Sequence, residues 1–148
     1  MAFKIEKGDV GLVPFIVKEL SGEMDSEYFE YNENDLSKSI MDVVRSGGQF
    51  WVAWDEDEFV GICLGMIYPS IFNHGQMIAE CIFTDVMPKY SKSRCKFNLR
   101  EKFESWAKEN EASLILYGSH DPKDIKSLKR KGFKRVEIKL IKRVDNGI

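Results

Sequence analysis

Two apolar runs joined by one long amphipathic stretch constrain the fold of this chain more than any other feature. The first run is MIAECIFTDVMP, and the second is SLILYGS. The stretch between them carries apolar residues at the spacing of one helical face: Cys95, Leu99, Phe103 and Trp106. This periodicity predicts a helix over about residues 91–110. Because SLILYGS does not alternate, it is typical of a buried strand, and a helical crossover between two strands predicts that they are parallel.

The segments before this unit predict a strand, two helices and a hairpin. Residues 2–9 alternate and predict a first strand, and residues 10–20 have helical periodicity, with Pro14 leaving room for a kink or a later start. Asn34 is the predicted N-cap of a second helix that closes at two glycines. The β-rich runs QFWVAW and FVGICLGMIY flank the turn DEDE, which predicts a hairpin.

The segments after the second apolar run predict one more helix and one more strand. Asp121 followed by Pro122 is a specific signal for a helix start, and the helix is expected to end at Gly132. The alternating VEIKLIKRV predicts a last strand. The predicted order is therefore β-α-α-β-β-β-α-β-α-β in a single domain over residues 1–148. This is an α+β (mixed α/β) domain with a central mixed, mostly antiparallel sheet flanked by helices.

Charge is unevenly distributed along a chain whose formal net charge is only −2. Residues 23–35 and the turn DEDE are acidic, whereas residues 89–102 and 123–143 are basic. Two interpretations of this asymmetry are open: the basic residues form one basic face, or the charges are scattered over the surface and solvated. With no nucleic-acid-binding motif and this net charge, we expect no specific nucleic-acid partner.

Cysteine and histidine usage argues against disulfides and metal sites. The three cysteines form no C-x-x-C pair and lie at apolar positions, which indicates buried thiols in a reducing compartment. Only two histidines are present, too few for a histidine-rich metal centre. No apolar run reaches the length of a membrane span, so we expect no membrane partner and a cytoplasmic location.

Three segments in order resemble the GNAT family of acyl-CoA N-acyltransferases. They are the hairpin WVAWDEDEFVGICLG, the strand exit AECIFTDVMPKY and the terminal KRKGFKRVEI. Within the second, Val86, Pro88 and Tyr90 match the family's V-x-P-x-Y pattern. The resemblance covers essentially the whole chain. The chain is also loosely similar to small GNAT-like proteins of tailed bacteriophages, some of them virion components, which implies a virion location if the chain is phage-encoded.

The resemblance implies acetyl-CoA as the acyl donor and a binding site in two parts. Pantetheine amides would pair with strand backbone at Ile82, Phe83, Thr84, Asp85 and Val86. The pyrophosphate would meet the following helix start at Ser91, Lys92, Ser93, Arg94, Cys95 and Lys96, where free N–H groups and the helix dipole favour an anion.

The chain departs from the family pattern at this helix start. The R/Q-x-x-G-x-G/A motif falls on Ser91, Arg94 and Lys96, so the Arg/Gln and both glycines are absent. Because glycine allows a close backbone approach to phosphates, its loss puts a backbone cradle in doubt. The dipole disfavours each cation at Lys92, Arg94 and Lys96 by roughly 0.3–1 kcal/mol. Either a bound polyanion offsets this cost, or the side chains bend away into solvent.

The resemblance also implies catalytic positions. Glu80 stands where some GNAT enzymes carry a general base, and an acid flanked by apolar residues suits that role; alternatively, it faces solvent or pairs with a lysine. The family's usual acid, a tyrosine, falls on Leu128, which cannot donate a proton. Tyr117 and Tyr90 are the nearby replacement candidates, with Tyr117 on the next strand near the cleft, and for either one a core or rim aromatic is the alternative.

Two functions therefore remain open. The first is an N-acetyltransferase with a divergent donor site, acting on a small-molecule or protein amine. The acidic, aromatic segment 23–33 would favour a cationic amine or a basic partner surface, and an ordinary solvated loop is the alternative. The second is a GNAT-fold protein without catalysis that serves as a binding or structural component, in a homo-oligomer or with an assembly partner. The missing glycines and tyrosine are both expected under the second.

Overall fold

The structure, a computed structural model, describes residues 3–23 and 29–144. Its regular elements follow the predicted order except at the end of the chain. They are β1 (Lys4–Lys7), α1 (Val13–Leu20), α2 (Glu33–Arg45), β2 (Gln49–Asp55), β3 (Glu58–Ser70), β4 (Asn73–Val86), α3 (Cys95–Glu109), β5 (Leu114–Tyr117) and α4 (Pro122–Arg130). Short 3-10 turns precede α1 at Val10–Leu12 and follow β4 at Pro88–Tyr90.

One five-stranded sheet has the order β1-β2-β3-β4-β5. The first three pairs of neighbours are antiparallel, and β4 and β5 are parallel. The helical crossover through α3 therefore joins two parallel strands, as the sequence predicts. The predicted mixed, mostly antiparallel sheet flanked by helices is confirmed.

Each face of the sheet has its own apolar core. On one face, α1 and α2 cover strand residues such as Val52, Ile62 and Leu64. On the other, α3 packs through its predicted apolar residues against the alternate strand positions. All three cysteines are free and buried, as predicted. No helix among the described residues is long and apolar enough to cross a membrane.

Two helix starts show how local chemistry sets the boundaries. Pro14 lies in the first turn of α1, so the helix begins there and is not kinked. The N-cap of α2 is Asn32 and not the predicted Asn34: its side-chain oxygen accepts a hydrogen bond from the Asp35 N–H at 3.0 Å. Either asparagine can cap a helix, and the extended backbone at Asn32 is what decides between them.

The predicted last strand is absent from the structure. Residues 133–144 have no regular secondary structure, and apolar side chains of this segment such as Val136, Ile138 and Leu140 are more than two-thirds exposed. Alternation specifies only which side chains share a face, whereas a strand also needs a backbone partner. No strand among the described residues pairs with this segment, so β5 remains the edge of the sheet.

Candidate functional site

A gap opens between β4 and β5 where their pairing stops. The parallel ladder runs only from Ile78 opposite Leu114 to Cys81 opposite Tyr117. There β5 ends, while β4 continues to Val86 and stays paired with β3 on its other side. The segment of β4 over residues 82–86 therefore has a free edge facing the gap.

The antiparallel ladder fixes which backbone groups face this gap. The Met87 N–H donates to the Val60 carbonyl at 2.8 Å, on the β3 side. Because backbone groups alternate in direction along a strand, those of Asp85 also face β3, and those of Thr84 and Val86 face the gap. Two N–H and two C=O groups at a two-residue spacing thus line the free edge.

The chain enters α3 through a turn without glycine. Arg94 is the N-cap residue and makes no side-chain capping bond. Instead, the Ser93 hydroxyl accepts a hydrogen bond from the Cys95 N–H at 3.2 Å and donates to the Tyr90 carbonyl at 2.6 Å. Within the described chain, the N–H groups of Lys96 and Phe97 have no partner, as is usual in a first helical turn.

The three cations at this helix start have different surroundings. Lys92 and Arg94 are exposed, and the Arg94 guanidinium lies 4.5 Å from the centre of the Phe97 ring. The Lys96 ammonium lies 3.4 Å from a carboxylate oxygen of Asp124 on α4. One of the three predicted phosphate ligands is therefore already paired within the chain.

Asp85, at the end of β4, lies within electrostatic range of Lys96 at this helix start and of Glu23, which follows α1. Burial raises the pKa of its carboxyl, and the negative charge of Glu23 adds to that rise. A hydrogen bond with the Val86 backbone and the charge of Lys96 act in the opposite direction. The predicted acceptor segment is only partly placed by the structure, since residues 24–28 lie outside the described residues.

Glu80 pairs with a tyrosine that the sequence does not single out. The Tyr68 hydroxyl on β3 donates a hydrogen bond to Glu80 Oε1 at 2.6 Å. This bond is the main reason why the pKa of Tyr68 rises to about 12, with burial second. Tyr68 therefore stays protonated at neutral pH and holds the Glu80 carboxylate in a fixed direction.

The structure places Glu80 and Tyr117 on opposite faces of the sheet. Cys81, next to Glu80, belongs to the core beneath α3, so alternation turns Glu80 to the face covered by α1 and α2. Tyr117 lies on the α3 face, where its hydroxyl donates to Glu104 at 2.6 Å. Burial, followed by this hydrogen bond, raises the pKa of Tyr117 far above its usual range. The two predicted catalytic side chains are not brought together.

An ion pair spans from α3 to α4 beside the gap. Arg100 donates two hydrogen bonds to the Asp124 carboxylate, at 2.6 and 3.0 Å, and both side chains are only 9% exposed. The Arg100 guanidinium lies 4.7 Å from the centre of the Tyr117 ring. These hydrogen bonds hold the pKa of Asp124 well below its usual range.

The predicted donor-binding residues are neighbours along the chain, and one of them, Cys95, is fully buried. The free edge of β4 over 82–86 leads through the 3-10 turn into residues 91–96 at the start of α3. Sequence reasoning missed Tyr68, Arg100 and Asp124. The contact of Tyr68 with Glu80 depends on the register between β3 and β4. The sequence around Arg100 and Asp124 contains no local pattern that indicates an ion pair.

Comparison with solved structures identifies this architecture. An acetyltransferase from Trypanosoma brucei superposes with a TM-score of 0.77 at 16% identity, over 97% of this chain and 100% of the other. A GNAT family acetyltransferase from Staphylococcus aureus gives a TM-score of 0.71 at 14% identity, over 97% and 100% of the two chains. The chain has the GNAT fold.

A third similar structure contains acetyl-CoA. A predicted acetyltransferase from Clostridium acetobutylicum, solved with acetyl-CoA, superposes with a TM-score of 0.75 at 12% identity over 97% of each chain. No protein-family model matches the sequence, and no curated protein does. The likeness is therefore one of fold, with little identity in sequence.

Proposed function

We propose that this protein is an N-acetyltransferase that transfers an acetyl group from acetyl-CoA to a primary amine. The observation that carries the proposal is the free edge of β4 over residues 82–86, which leads directly into the start of α3 within a GNAT fold. The structure from Clostridium acetobutylicum, which has the same fold, was solved with acetyl-CoA.

The donor site fits the chemistry of acetyl-CoA in two parts. The backbone groups of Thr84 and Val86 that face the gap complement the amides of a pantetheine chain, in the way that an added strand is bound. The free N–H groups of Lys96 and Phe97 and the nearby cations suit a pyrophosphate. Because no glycine is present, side-chain charge from Lys92 and Arg94 carries more of this binding than a backbone cradle does.

Glu80 is the proposed general base. Acetyl-CoA supplies an activated thioester and a thiolate leaving group. Glu80 accepts the proton that the amine loses, and the Tyr68 hydroxyl orients the carboxylate that receives it. Tyr117 remains the predicted acid for the leaving thiolate, although it lies on the opposite face of the sheet from Glu80; in that role its hydroxyl must first release Glu104 and turn toward the gap.

The proposed acceptor is a cationic amine. Glu80 lies on the face covered by α1 and α2, and Asp85 and Glu23 add carboxylates near the end of β4. Negative potential on this side of the gap attracts an ammonium group before it is deprotonated. The same charge suits a small amine or the lysine of a protein.

Calorimetry with acetyl-CoA tests the donor site. We expect micromolar binding that is weakened by Arg94→Ala and unchanged by Lys18→Ala, a matched loss of one exposed cation from α1. Absent or millimolar binding would contradict the proposal. If binding occurs, Glu80→Gln should retain it and lose turnover by about 10²–10⁴-fold.

A second candidate function is a GNAT-fold binding or structural component without catalysis. The pairing of Lys96 with Asp124 and the lack of glycine before α3 favour it, because both reduce the space and charge available to a pyrophosphate. The phage resemblance implies a virion component in that case. A folded protein that shows no acetyl-CoA binding would support this function.

A further inference from the structure

The end of the chain concentrates positive charge to an unusual degree. Residues 122–144 hold ten of the 22 lysines and arginines but only two of the 24 acidic residues. This stretch therefore has a formal charge of +8, and the remainder of the chain has −10. The small net charge of the whole protein is therefore the sum of a basic C-terminal stretch and an acidic remainder.

Most of these cations are exposed and have no acidic partner. Lys131 pairs with Glu104, and Lys139 pairs with Glu137. Six others form what we call the cationic face; all are exposed, and within the described residues none makes an ion pair. They are Lys123, Lys126, Lys129, Arg130, Lys134 and Arg135.

The cationic face has a concave part. A cavity of about 440 Å³ is lined by His120, Pro122, Ile125, Lys126, Lys129 and Arg135, with no carboxylate among them. Lys129 and Arg130 lie in the last turn of α4, where the helix dipole favours cations, but Lys123 lies in the first turn, where it does not. Helix stability alone therefore does not explain the arrangement.

We propose that the cationic face binds the phosphate backbone of double-stranded nucleic acid without sequence preference. Residues 122–144 contain no asparagine or glutamine, the amides that read adenine edges. The single aromatic residue of this stretch, Phe133, packs against the Tyr117 ring and offers no platform for stacking unpaired bases. Arginine and lysine can also contact guanine edges, but cations without amide or aromatic neighbours fit the phosphates of a duplex better than adenine edges or single strands.

An anionic membrane fits the same face less well. Stable binding to a bilayer combines cations with inserted apolar side chains. In the described chain, exposed large apolar side chains are absent from residues 115–135. The exposed ones of residues 122–144 all follow the cationic face: Val136, Ile138, Leu140, Ile141 and Val144. This function is separate from acetyl transfer and does not depend on it.

Fluorescence anisotropy with a labelled DNA duplex of mixed sequence and about two helical turns tests the proposal. We expect the logarithm of the binding constant to fall with the logarithm of salt concentration with a slope of about −5, from six phosphate contacts. In the triple variant Lys126→Ala, Lys129→Ala, Arg135→Ala, the slope should change by about three units, from about −5 to about −2. Its binding at low salt should be weaker by roughly tenfold or more.

The matched control removes three exposed cations near the opposite edge of the sheet and from α1 and α2: Lys7→Ala, Lys18→Ala, Lys38→Ala. It should leave affinity and slope unchanged, with circular dichroism showing both triple variants folded. Absent binding, or equal losses in both triple variants, would overturn the proposal. Tighter binding to a single strand or to polyglutamate than to the duplex would also overturn it. So would tighter binding to anionic phospholipid vesicles than to the duplex, if Ile138→Ser and Leu140→Ser abolish the vesicle binding.

Discussion

The Arg100 guanidinium and the Asp124 carboxylate form a two-bond ion pair that joins α3 to α4, with nitrogen–oxygen distances of 2.6 and 3.0 Å. Both side chains are 91% buried, and the remaining nitrogen of Arg100, Nε, has no hydrogen-bond partner among the residues described. The positive charge of Arg100 is therefore balanced mainly by one residue on another helix.

Replacing Asp124 with asparagine should strongly destabilise the protein. Removing one partner of a buried ion pair leaves an uncompensated charge, which costs about 3–5 kcal/mol. The double variant Arg100→Met, Asp124→Leu should be much closer to the wild type, because no buried charge remains. Urea denaturation of the three proteins measures this difference. Equal losses in the single and double variants would show that packing, and not charge, is what matters at this contact.

The same ion pair predicts a pH dependence. The pKa of Asp124 is held below its usual range by Arg100, so its stabilising effect is present above the unfolded-state pKa of about 3.9 and is lost as pH falls through the folded-state value. The stability advantage of the wild type over Asp124→Asn should therefore be constant from about pH 7 to about pH 5 and shrink below about pH 4. Denaturation curves across this range test it, and an advantage that grew on acidification would contradict it.

Gly65 on β3 predicts a packing effect that has a control within the same chain. A Cβ at this position would lie 2.5 and 2.6 Å from ring atoms of Phe103, which is fully buried and cannot move aside. Gly65→Ala should therefore cost about 1–3 kcal/mol of unfolding free energy. At Gly118 an added Cβ meets no atom within 4 Å, so Gly118→Ala should change stability by less than about 1 kcal/mol. Thermal or urea denaturation separates the two variants.

The parts of the fold that depend on local periodicity could be predicted from the sequence. The face of α3 and the apolar run of β5 each carry their own signal, and together they fix a parallel crossover. The start of α4 follows similarly from Asp121, whose side chain accepts a hydrogen bond from the Lys123 N–H at 3.0 Å. These features needed no knowledge of distant contacts.

The parts that depend on register or on distant partners could not be predicted. A bulge leaves Ile82 without a β3 partner, and because a one-residue shift reverses every side chain, the Tyr68–Glu80 contact was not visible in the sequence. The Arg100–Asp124 pair spans 24 positions, and a lone arginine in an amphipathic helix is normally expected at the surface. The prediction of the last strand was wrong for the same reason, because an alternating pattern does not specify a backbone partner for the strand.

Tyr68→Phe predicts a change in turnover that distinguishes a positioning role from a structural one. The Tyr68 hydroxyl donates to Glu80 and holds its carboxylate in one direction. Without that bond, kcat for acetyl transfer should fall by about tenfold, less than in Glu80→Gln, while KM for the amine and the free energy of unfolding stay close to the wild-type values. A loss of stability large enough to account for the lower rate would show that Tyr68 only supports packing. Acetyl-CoA affinity, measured in parallel, should be unaffected, because Tyr68 lies away from the free edge of β4 and the start of α3.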